Sequence, residues 1–222
     1  MSITYYADVV QGTEQWHDLR RGLVTASIVK DLVTPSTFKI ADNETVRGLM
    51  RLLVAERVTG WTDPTYSNFD MERGVMDEPV ARAYYSENHA HVTEVGFVTN
   101  DVGGHTVGCS PDGLVEDDGG IEIKCPRSKE QLRTILADEV PAQYMPQVQF
   151  NLLTTGRSWW DYVSFCAGMP LYRKRVEPDP QWFEAITAAV TAFEERAAQM
   201  TSDYLAAIVG LPTTERPDYI EV

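Results

Sequence analysis

The hydrophobic positions of this chain recur with two periods, one typical of helices and one typical of strands. Apolar residues three to four positions apart predict helices over 44–59, 73–84, 131–139, 141–156 and about 181–200. Alternating apolar and polar residues predict strands over 92–99, 105–109, 121–125, 159–166 and 171–176. Strands and helices interleaved in this way predict one α/β domain with a mixed, mainly antiparallel central sheet flanked by helices.

The two ends of the chain give weaker patterns. We predict a short helix from residue 14, a turn at Gly22, and a second helix to residue 34 capped by Thr25 or Ser27. The tail over 210–222 contains prolines and is expected to be irregular. No internal repeat divides the chain, so a single domain is expected over 1–222.

The segment from Asp112 to Cys125 carries the candidate chemistry. In an extended strand Glu122 and Lys124 share one face, while their apolar neighbours take the other. The polar residues 116–120 can turn the chain, so a hairpin can bring the Asp112 and Glu122 carboxylates together. Two carboxylates from separate strands beside a lysine predict a divalent-metal site.

Each residue type in this segment suits metal-assisted chemistry. Asp and Glu oxygens are hard ligands for Mg²⁺ or Mn²⁺, which keep open positions for water and for a substrate phosphate. Lys124 could orient or deprotonate the attacking water, or offset charge on the phosphate. An exposed hairpin with an ordinary Glu–Lys pair is the alternative interpretation of these residues.

Composition limits the class of protein. The 222 residues are 43% hydrophobic, which is sufficient for a core, and no run is apolar enough to span a bilayer. The start of the chain lacks the pattern of a signal peptide, so a cytoplasmic location is expected. Three cysteines without CxxC spacing indicate neither a disulfide framework nor a zinc site. His89 and His91 lack a third ligand nearby and are predicted to be surface residues.

The net charge of −14 restricts how this chain could bind a polyanion. Its positive charges would have to gather in one place, and basic clusters occur at 20–21, 124–129 and 173–175. The last cluster could instead keep an edge strand soluble. We therefore expect an acidic surface with a locally positive channel, and binding that depends strongly on salt.

Several ordered motifs resemble one nuclease family. Ser110 to Gly113 followed by Glu122 to Pro126 resembles the PD-(D/E)XK nuclease core, and in particular the lambda-exonuclease (YqaJ-type viral recombinase) family. Further matches follow the same order along the chain: Trp16 to Arg20, Thr25 to Ser27, Gly74 to Glu78 with Arg82, and Tyr144 to Gln149. The resemblance covers about residues 14 to 165 and implies a restriction-endonuclease-like core.

The resemblance also implies roles for individual residues. The implied metal ligands are Asp112, Glu122, the Ile123 carbonyl and Glu78. The implied catalytic residues are Asp112, Glu122, Lys124 and Gln147, the last two of which would position the attacking water. For Glu78 the alternative is a first-turn residue favoured by the helix dipole, and for Gln147 it is a place on a solvent-facing polar stripe.

A second group of residues would bind DNA. In the family, Arg20, Ser27 and Ser110 fall on positions that hold a 5′-terminal phosphate, and Arg127 or Lys129 could supply a further basic contact. An arginine fork with hydroxyls at a helix start is a physically sensible anion site. Alternatively, Ser27 only caps a helix and Arg20 is a solvated charge.

The implied activity is a Mg²⁺-dependent exonuclease, with Mn²⁺ as a second suitable ion. It would degrade one strand of linear double-stranded DNA from the 5′ end in recombination by single-strand annealing. The family further implies a homotrimer, a single-strand annealing partner protein, and a phage or prophage protein in the cytoplasm of a bacterial host. Two other functions are compatible with the residues, namely an endonuclease on the same core and a non-catalytic DNA-binding domain.

Overall fold

The computed structural model describes residues 3–64 and 68–216. The helices are α1 Glu14–Arg20, α2 Val29–Leu32, α3 Glu44–Thr59, α4 Phe69–Asn88, α5 Ser128–Ala137, α6 Met145–Thr155 and α7 Pro180–Ala207. The strands are β1 Thr4–Tyr6, β2 Val24–Thr25, β3 Val33–Thr34, β4 Lys39–Ile40, β5 Val92–Thr93, β6 Phe97–Val102, β7 His105–Cys109, β8 Gly113–Val115, β9 Gly119–Lys124, β10 Trp159–Ser164 and β11 Tyr172–Val176.

The strands form two main sheets and one short ribbon. A four-stranded sheet has the order β1-β6-β7-β2, a five-stranded sheet has the order β11-β10-β9-β8-β5, and β3 pairs with β4. Only β2–β7 and β9–β10 are parallel pairs among the described strands, so the predicted mixed, mainly antiparallel architecture is confirmed. Residues 110–112 lead from β7 in one sheet to β8 in the other, which places Asp112 at their junction.

Two long helices form as their apolar patterns predict. Helix α3 occupies the predicted range and ends at Gly60, whose positive φ of 63° suits a residue without a side chain. Its stripe enters the main core, where Val46 and Met50 are buried. Helix α7 was expected over about 181–200 and runs from Pro180 to Ala207, with its apolar face against the same core.

The second helix expected before residue 34 is much shorter than predicted. Thr25 belongs to strand β2, which pairs with β7, and α2 has only four residues without a side-chain cap. The capping role predicted for Thr25 or Ser27 is therefore wrong. The hydroxyls of these two residues lie 3.2 Å apart instead. Sheet pairing with β7 satisfies the backbone here, and local propensity cannot reveal such a pairing.

Helix α4 exposes the apolar face by which it was predicted. The helix begins at Phe69, four residues before the predicted start, and continues through Pro79. Val75 and Met76 are exposed, while the side chains that enter the core are Ala81 and Tyr85. Its remaining inward positions include the charged residues Glu78 and Arg82, which lie near β9.

The helices after β9 also begin away from their predicted starts. Helix α5 starts at Ser128 and α6 starts at Met145, since residues 141–144 form a turn in which the Tyr144 N–H donates to the Pro141 carbonyl. The end of α6 at Gly156 is as predicted. Within the described ranges, no helix has the length and apolar character needed to cross a bilayer.

Candidate active site

The β8–β9 hairpin joins the first carboxylate to the strand that carries the second. Strand β8 begins at Gly113, which pairs with Ile121, so β9 continues past the start of β8. The free N–H of Ile123 then donates to Oδ2 of Asp112 at 2.6 Å. The hairpin predicted between Asp112 and Glu122 is thus confirmed, and Asp112 is held directly against the backbone of β9.

The geometry also directs the Ile123 carbonyl toward Asp112. In an extended strand the N–H and C=O of one residue point to the same side. Because the Ile123 N–H meets Asp112, its carbonyl faces the same gap beyond the start of β8. Asp112 and this carbonyl therefore open toward a common space.

Glu122 is buried and both of its oxygens have partners. Its side chain is 1% exposed. Lys124 Nζ lies 2.5 Å from Oε1, as expected for residues on one strand face, and Asn151 Nδ2 of α6 donates to Oε2 at 2.9 Å. Tyr162 is the strand neighbour of Glu122 on β10, so the carboxylate is enclosed between the sheet and α6. A buried carboxylate held from both sides keeps one fixed orientation.

Lys124 is held among negative charges and beside an aromatic ring. Burial lowers the pKa of Lys124, but Glu122 and Asp112 raise it, and the net result is a pKa above the ordinary value. Its Nζ lies 5.5 Å from the centroid of the Tyr144 ring. A protonated lysine in this place can orient a water molecule or offset charge on a phosphate oxygen.

Helix α4 adds Glu78 and Arg82 to the site. Arg82 donates from Nε to the Asp112 carbonyl at 2.7 Å and lies 2.5 Å from Glu78 Oε1. A third nitrogen of Arg82 pairs with Glu94 at 2.8 Å. Burial raises the pKa of Glu78, and the nearby Glu122 raises it further. Glu78 therefore belongs to the same group of carboxylates, and Arg82 connects that group to the backbone at Asp112.

The donor set fits a small divalent ion. Within residues 3–64 and 68–216, no three His, Cys, Asp or Glu side chains are gathered closely enough to form a ready metal cluster. Mg²⁺, however, is commonly bound through one or two carboxylates, with water and substrate oxygens completing its shell. Burial raises the pKa of Asp112, and Glu122 and Glu78 raise it further, so added positive charge would relieve this crowding. Asp112, Glu122 and the Ile123 carbonyl form such a set.

Gln147 lies on the same helix as Asn151, one turn earlier. It is half-buried, and it precedes the residue that binds Glu122 by four positions, which places both side chains on one face of α6. Asn151 is fully buried against Glu122, so the stripe does not face solvent at that position, while the role of Gln147 stays a prediction.

Three side chains of the proposed phosphate site gather at the ends of β2 and β7. The guanidinium of Arg20 stacks over the Trp16 ring at 4.1 Å, and Trp16 Nε1 donates to the Ser110 hydroxyl at 2.8 Å. Thr25 pairs with Gly108, so Ser27 and Ser110 each follow that pair by two residues. Ser27 is exposed. Arg20 makes no ion pair in the described part of the chain, although Glu56 lies near enough to affect its pKa.

The remaining basic candidates differ in their freedom to bind a ligand. Arg127 makes a two-pronged ion pair with Asp70 at 2.8 and 3.0 Å, which connects the start of α5 to α4. Lys129 is exposed and has no ion-pair partner among the described residues. Arg173 and Arg175 both bind the buried Asp161 at 2.9 Å. The basic run of β11 therefore balances a buried charge at the sheet edge.

The two candidate surface histidines lie where the sequence predicts. His89 caps the end of α4 and His91 follows it, and both are exposed. The His89 ring lies beside the Tyr85 ring, with the centroids 5.1 Å apart and an angle of 59° between the rings. Burial lowers the pKa of His89, with Arg173 acting in the same direction.

Sequence reasoning missed the roles of three residues. The sequence placed Asn151 only in a polar stripe and Arg82 only in a motif match, without their contacts to Glu122 and Asp112. It gave no indication that Trp16 donates to Ser110 or stacks against Arg20. Each acts across the fold on a residue at least 29 positions away. The only local signal was an amide repeated at helical spacing on α6.

The fold and site define the class of this protein. A mixed sheet flanked by helices, with a hairpin that presents Asp, Glu and Lys side chains, is the architecture of metal-dependent nucleases. The YqaJ-like viral recombinase domain matches residues 15–158. The chain belongs to this family.

Solved structures agree with that assignment. The alkaline exonuclease LHK-Exo from Laribacter hongkongensis is 33% identical, with a TM-score of 0.78 over 90% of this chain and 100% of that one. The same enzyme in complex with dAMP is 35% identical over the same shares, also with a TM-score of 0.78. A phage-related exonuclease from Haemophilus somnus 129PT shares the fold at 12% identity and a TM-score of 0.60, over 85% of this chain and 99% of that one. A search of curated proteins gave no match.

Proposed function

We propose that this protein is a divalent-metal-dependent exonuclease that degrades one strand of linear double-stranded DNA from the 5′ end. One observation carries this proposal, namely that the Trp16–Arg20–Ser110 group and the carboxylate site meet within one short stretch of chain. Ser110 precedes Asp112 by two residues, or roughly 7 Å of extended chain. A phosphate held at Ser110 would thus lie about one nucleotide from the cleavage site, which favours removal of single nucleotides.

The anion pocket supports the polarity of the reaction. Arg20, with Ser27 and Ser110, would hold the terminal 5′-phosphate, because an arginine with hydroxyl donors suits a dianion. Arg20 is already oriented by its contact with the Trp16 ring. The relative that binds dAMP supports a deoxynucleotide as the ligand of such a site.

The residues of the carboxylate site would divide the chemistry among them. Asp112, Glu122 and the Ile123 carbonyl would hold Mg²⁺ or Mn²⁺, with Glu78 beside them. When bound, the ion would lower the pKa of a water molecule and offset charge on the phosphate. Lys124 and Gln147 would orient the attacking water, and Arg82 would keep Asp112 and Glu78 in place.

We further propose the biological setting that this family suggests. The protein would act as a homotrimer in phage or prophage recombination, in the cytoplasm of a bacterial host, and pass its single-stranded product to an annealing protein. Light scattering coupled to gel filtration tests the assembly. A monomer at all concentrations would contradict it.

The central experiment compares two DNA topologies. Linear duplex with 5′-phosphates and closed circular duplex are incubated with Mg²⁺ or EDTA, and released nucleotides are measured for the native protein, Lys124→Ala and Lys174→Ala. We expect Mg²⁺-dependent release from linear DNA alone, abolished in Lys124→Ala. Lys174 is a matched control, since this lysine pairs with Asp138 on the surface. Cutting of the circle would favour an endonuclease, and no cleavage with any ion would favour a binding domain.

A further inference from the structure

Asn151 has a buried amide side chain with one hydrogen-bond partner among the described residues. It is 0% exposed, and its Nδ2 donates to Glu122 Oε2 at 2.9 Å. Its Oδ1 is buried and accepts no hydrogen bond within the described residues. Because a buried polar atom without a partner is costly, this amide is not placed to optimise the fold.

The other two buried amides nearby behave differently. Gln149 on α6 donates to the Glu177 carbonyl at 2.9 Å and accepts from the Asp179 N–H at 3.0 Å. Gln131 on α5 donates to two backbone carbonyls and accepts from the Ser164 hydroxyl. Both use donor and acceptor to join segments of chain, which is a structural role. Within the described residues, the Asn151 side chain joins helix α6 only to the carboxylate of Glu122.

The Asn151 amide binds the Glu122 oxygen that Lys124 does not bind. Lys124 takes Oε1 of Glu122, so without Asn151 the carboxylate could rotate and present either oxygen to the lysine. With a donor on each oxygen, the plane of the carboxylate is fixed. Groups that orient a metal-binding carboxylate in this way raise the affinity of the site for its ion.

We propose that Asn151 is a positioning residue that orients Glu122 for the divalent ion and thereby sets metal affinity. The inference rests on the proposed function, since it takes Glu122 as a metal ligand. Asn151 would not touch the substrate. Its effect would pass entirely through the orientation of Glu122.

Direct metal binding tests this inference without DNA. Mn²⁺ binding is measured by calorimetry for the native protein, Asn151→Ala, Asn151→Leu and Gln149→Leu. We expect the Kd for Mn²⁺ to rise roughly 10- to 100-fold in both Asn151 variants, which is typical when a group that orients a metal ligand is removed. Gln149→Leu is matched in helix, burial and side-chain chemistry, and we expect it to lower thermal stability while leaving the Kd unchanged.

A second measurement separates positioning from a merely structural role. Nuclease activity is followed as the Mg²⁺ concentration rises. We expect the Asn151→Ala enzyme to regain activity at raised Mg²⁺, whereas loss of folded protein would not be restored in this way.

The outcomes distinguish this inference from the proposed function. Native protein that bound no Mn²⁺ would overturn the metal-dependent function and this inference with it. If the native protein bound Mn²⁺ and the folded Asn151 variants bound it with the same Kd, the inference alone would be overturned. If neither Asn151→Ala nor Asn151→Leu folded, that result would assign Asn151 a structural role and also overturn the inference.

Discussion

Trp16 connects two residues that the proposed phosphate pocket requires. The Arg20 guanidinium stacks over the Trp16 ring, and the indole N–H donates to the hydroxyl of Ser110. This arrangement holds the arginine in place without a carboxylate partner among the described residues, so its charge stays available to a ligand. Cation–π stacking contributes about 0.5–1 kcal/mol at exposed sites and up to about 2 kcal/mol at desolvated ones, and Arg20 is half-buried.

Removing Arg20 should therefore reduce discrimination between DNA ends. We expect Arg20→Ala to lower the ratio of digestion rates on 5′-phosphorylated and 5′-hydroxyl duplexes by about 10-fold or more, because a charged hydrogen bond to phosphate is lost. Initial rates on the two substrates give this ratio. Arg21→Ala is the matched control, since Arg21 is engaged with Asp18 and should leave the ratio unchanged.

The central residues of the site could be predicted from the sequence because they lie close together along the chain. The two-residue period of a strand was enough to place Glu122 and Lys124 on one face, and a short hairpin was enough to bring Asp112 to them. The contact from Asn151 crosses from α6 to β9 and depends on how the two pack. No local period encodes that packing.

At the scale of elements, strand β9 is fixed by close packing. An added Cβ at Gly120 of β9 would lie 2.4 Å from the ring of Trp160, which is fully buried. The strand therefore lies against β10 as closely as it does because Gly120 has no side chain. The preceding residue of β9, Gly119, is packed in the same way, since its added Cβ would lie 2.0 Å from the ring of Trp159.

We expect Gly120→Ala to destabilise the protein by about 1–3 kcal/mol, as overpacking of a core does. Urea unfolding followed by circular dichroism measures the change. Gly48→Ala in α3 is the control, since the nearest atom would lie 4.0 Å from its Cβ, and alanine there should raise stability by up to about 1 kcal/mol. Equal stability of the Gly120 variant and the native protein would contradict the packing argument.

The edge of the five-stranded sheet depends on one buried carboxylate. Burial raises the pKa of Asp161, but hydrogen bonds from Arg175, Tyr85 and Arg173 lower it, and the net pKa lies below the ordinary 3.8. The resulting stabilisation is complete above pH 3.8 and is lost as the pH falls through the lower folded pKa. Strand β11 is therefore held most weakly in acid.

Asp161→Asn should lower the free energy of unfolding at pH 7 by roughly 1–3 kcal/mol, because two arginines lose a charged partner. The difference between variant and native protein should shrink as the pH falls below 3.8, which unfolding at several pH values would show. Asp138→Asn removes an exposed partner of Lys174 and should change stability little at any of these values.

Helix α4 shows that periodicity can predict a helix without predicting which of its faces is buried. An apolar stripe at helical spacing predicted the helix, but periodicity cannot say which face meets the sheet. Here the charged residues Glu78 and Arg82 face the site, and Val75 and Met76 remain outside. The start of α6 was misplaced because a turn at 141–144 satisfies the backbone by a contact within four residues.

At the scale of the whole molecule, charge must be concentrated for DNA to bind. The chain carries a net charge of −14, and most of its lysines and arginines are paired with carboxylates. Within the described ranges, the cations without such a pair are Arg20, Lys30, Lys39, Lys129, Arg157 and Arg216. The attraction to DNA should therefore depend on few residues.

Salt dependence measures how many of these cations meet phosphate. We expect Lys129→Gln to reduce the slope of log K against log salt by about 0.9, the value for one phosphate contact. Lys174→Gln should leave the slope unchanged because Lys174 is already paired. Binding to a duplex in Ca²⁺ or EDTA at several salt concentrations, without cleavage, gives both slopes. A slope unaffected by the loss of Lys129 would place this residue outside the DNA path.

The global architecture was predictable in class and less so in detail. Alternating strands and helices indicated a mixed sheet, whereas the division into sheets of four and five strands follows from how β7 passes into β8 at residues 110–112. Pairings such as β2 with β7 join segments about 80 residues apart in sequence, a range at which local patterns carry no information. The family motifs predicted the order of the site residues along the chain. Their hydrogen-bond partners depend on tertiary packing and could not be predicted.

The β8–β9 hairpin has a consequence for how this chain can change in length during evolution. Residues 116–118 at its tip are exposed, so we expect insertions or deletions there to cost the contacts of Asp118 with Ser158 and Trp159 but to leave Asp112 and Glu122 in place. A single residue inserted between Glu122 and Lys124 would instead carry the lysine to the opposite face of the sheet. We therefore expect related sequences to vary freely in the length of this tip, while the stretch from Glu122 to Lys124 keeps one fixed length.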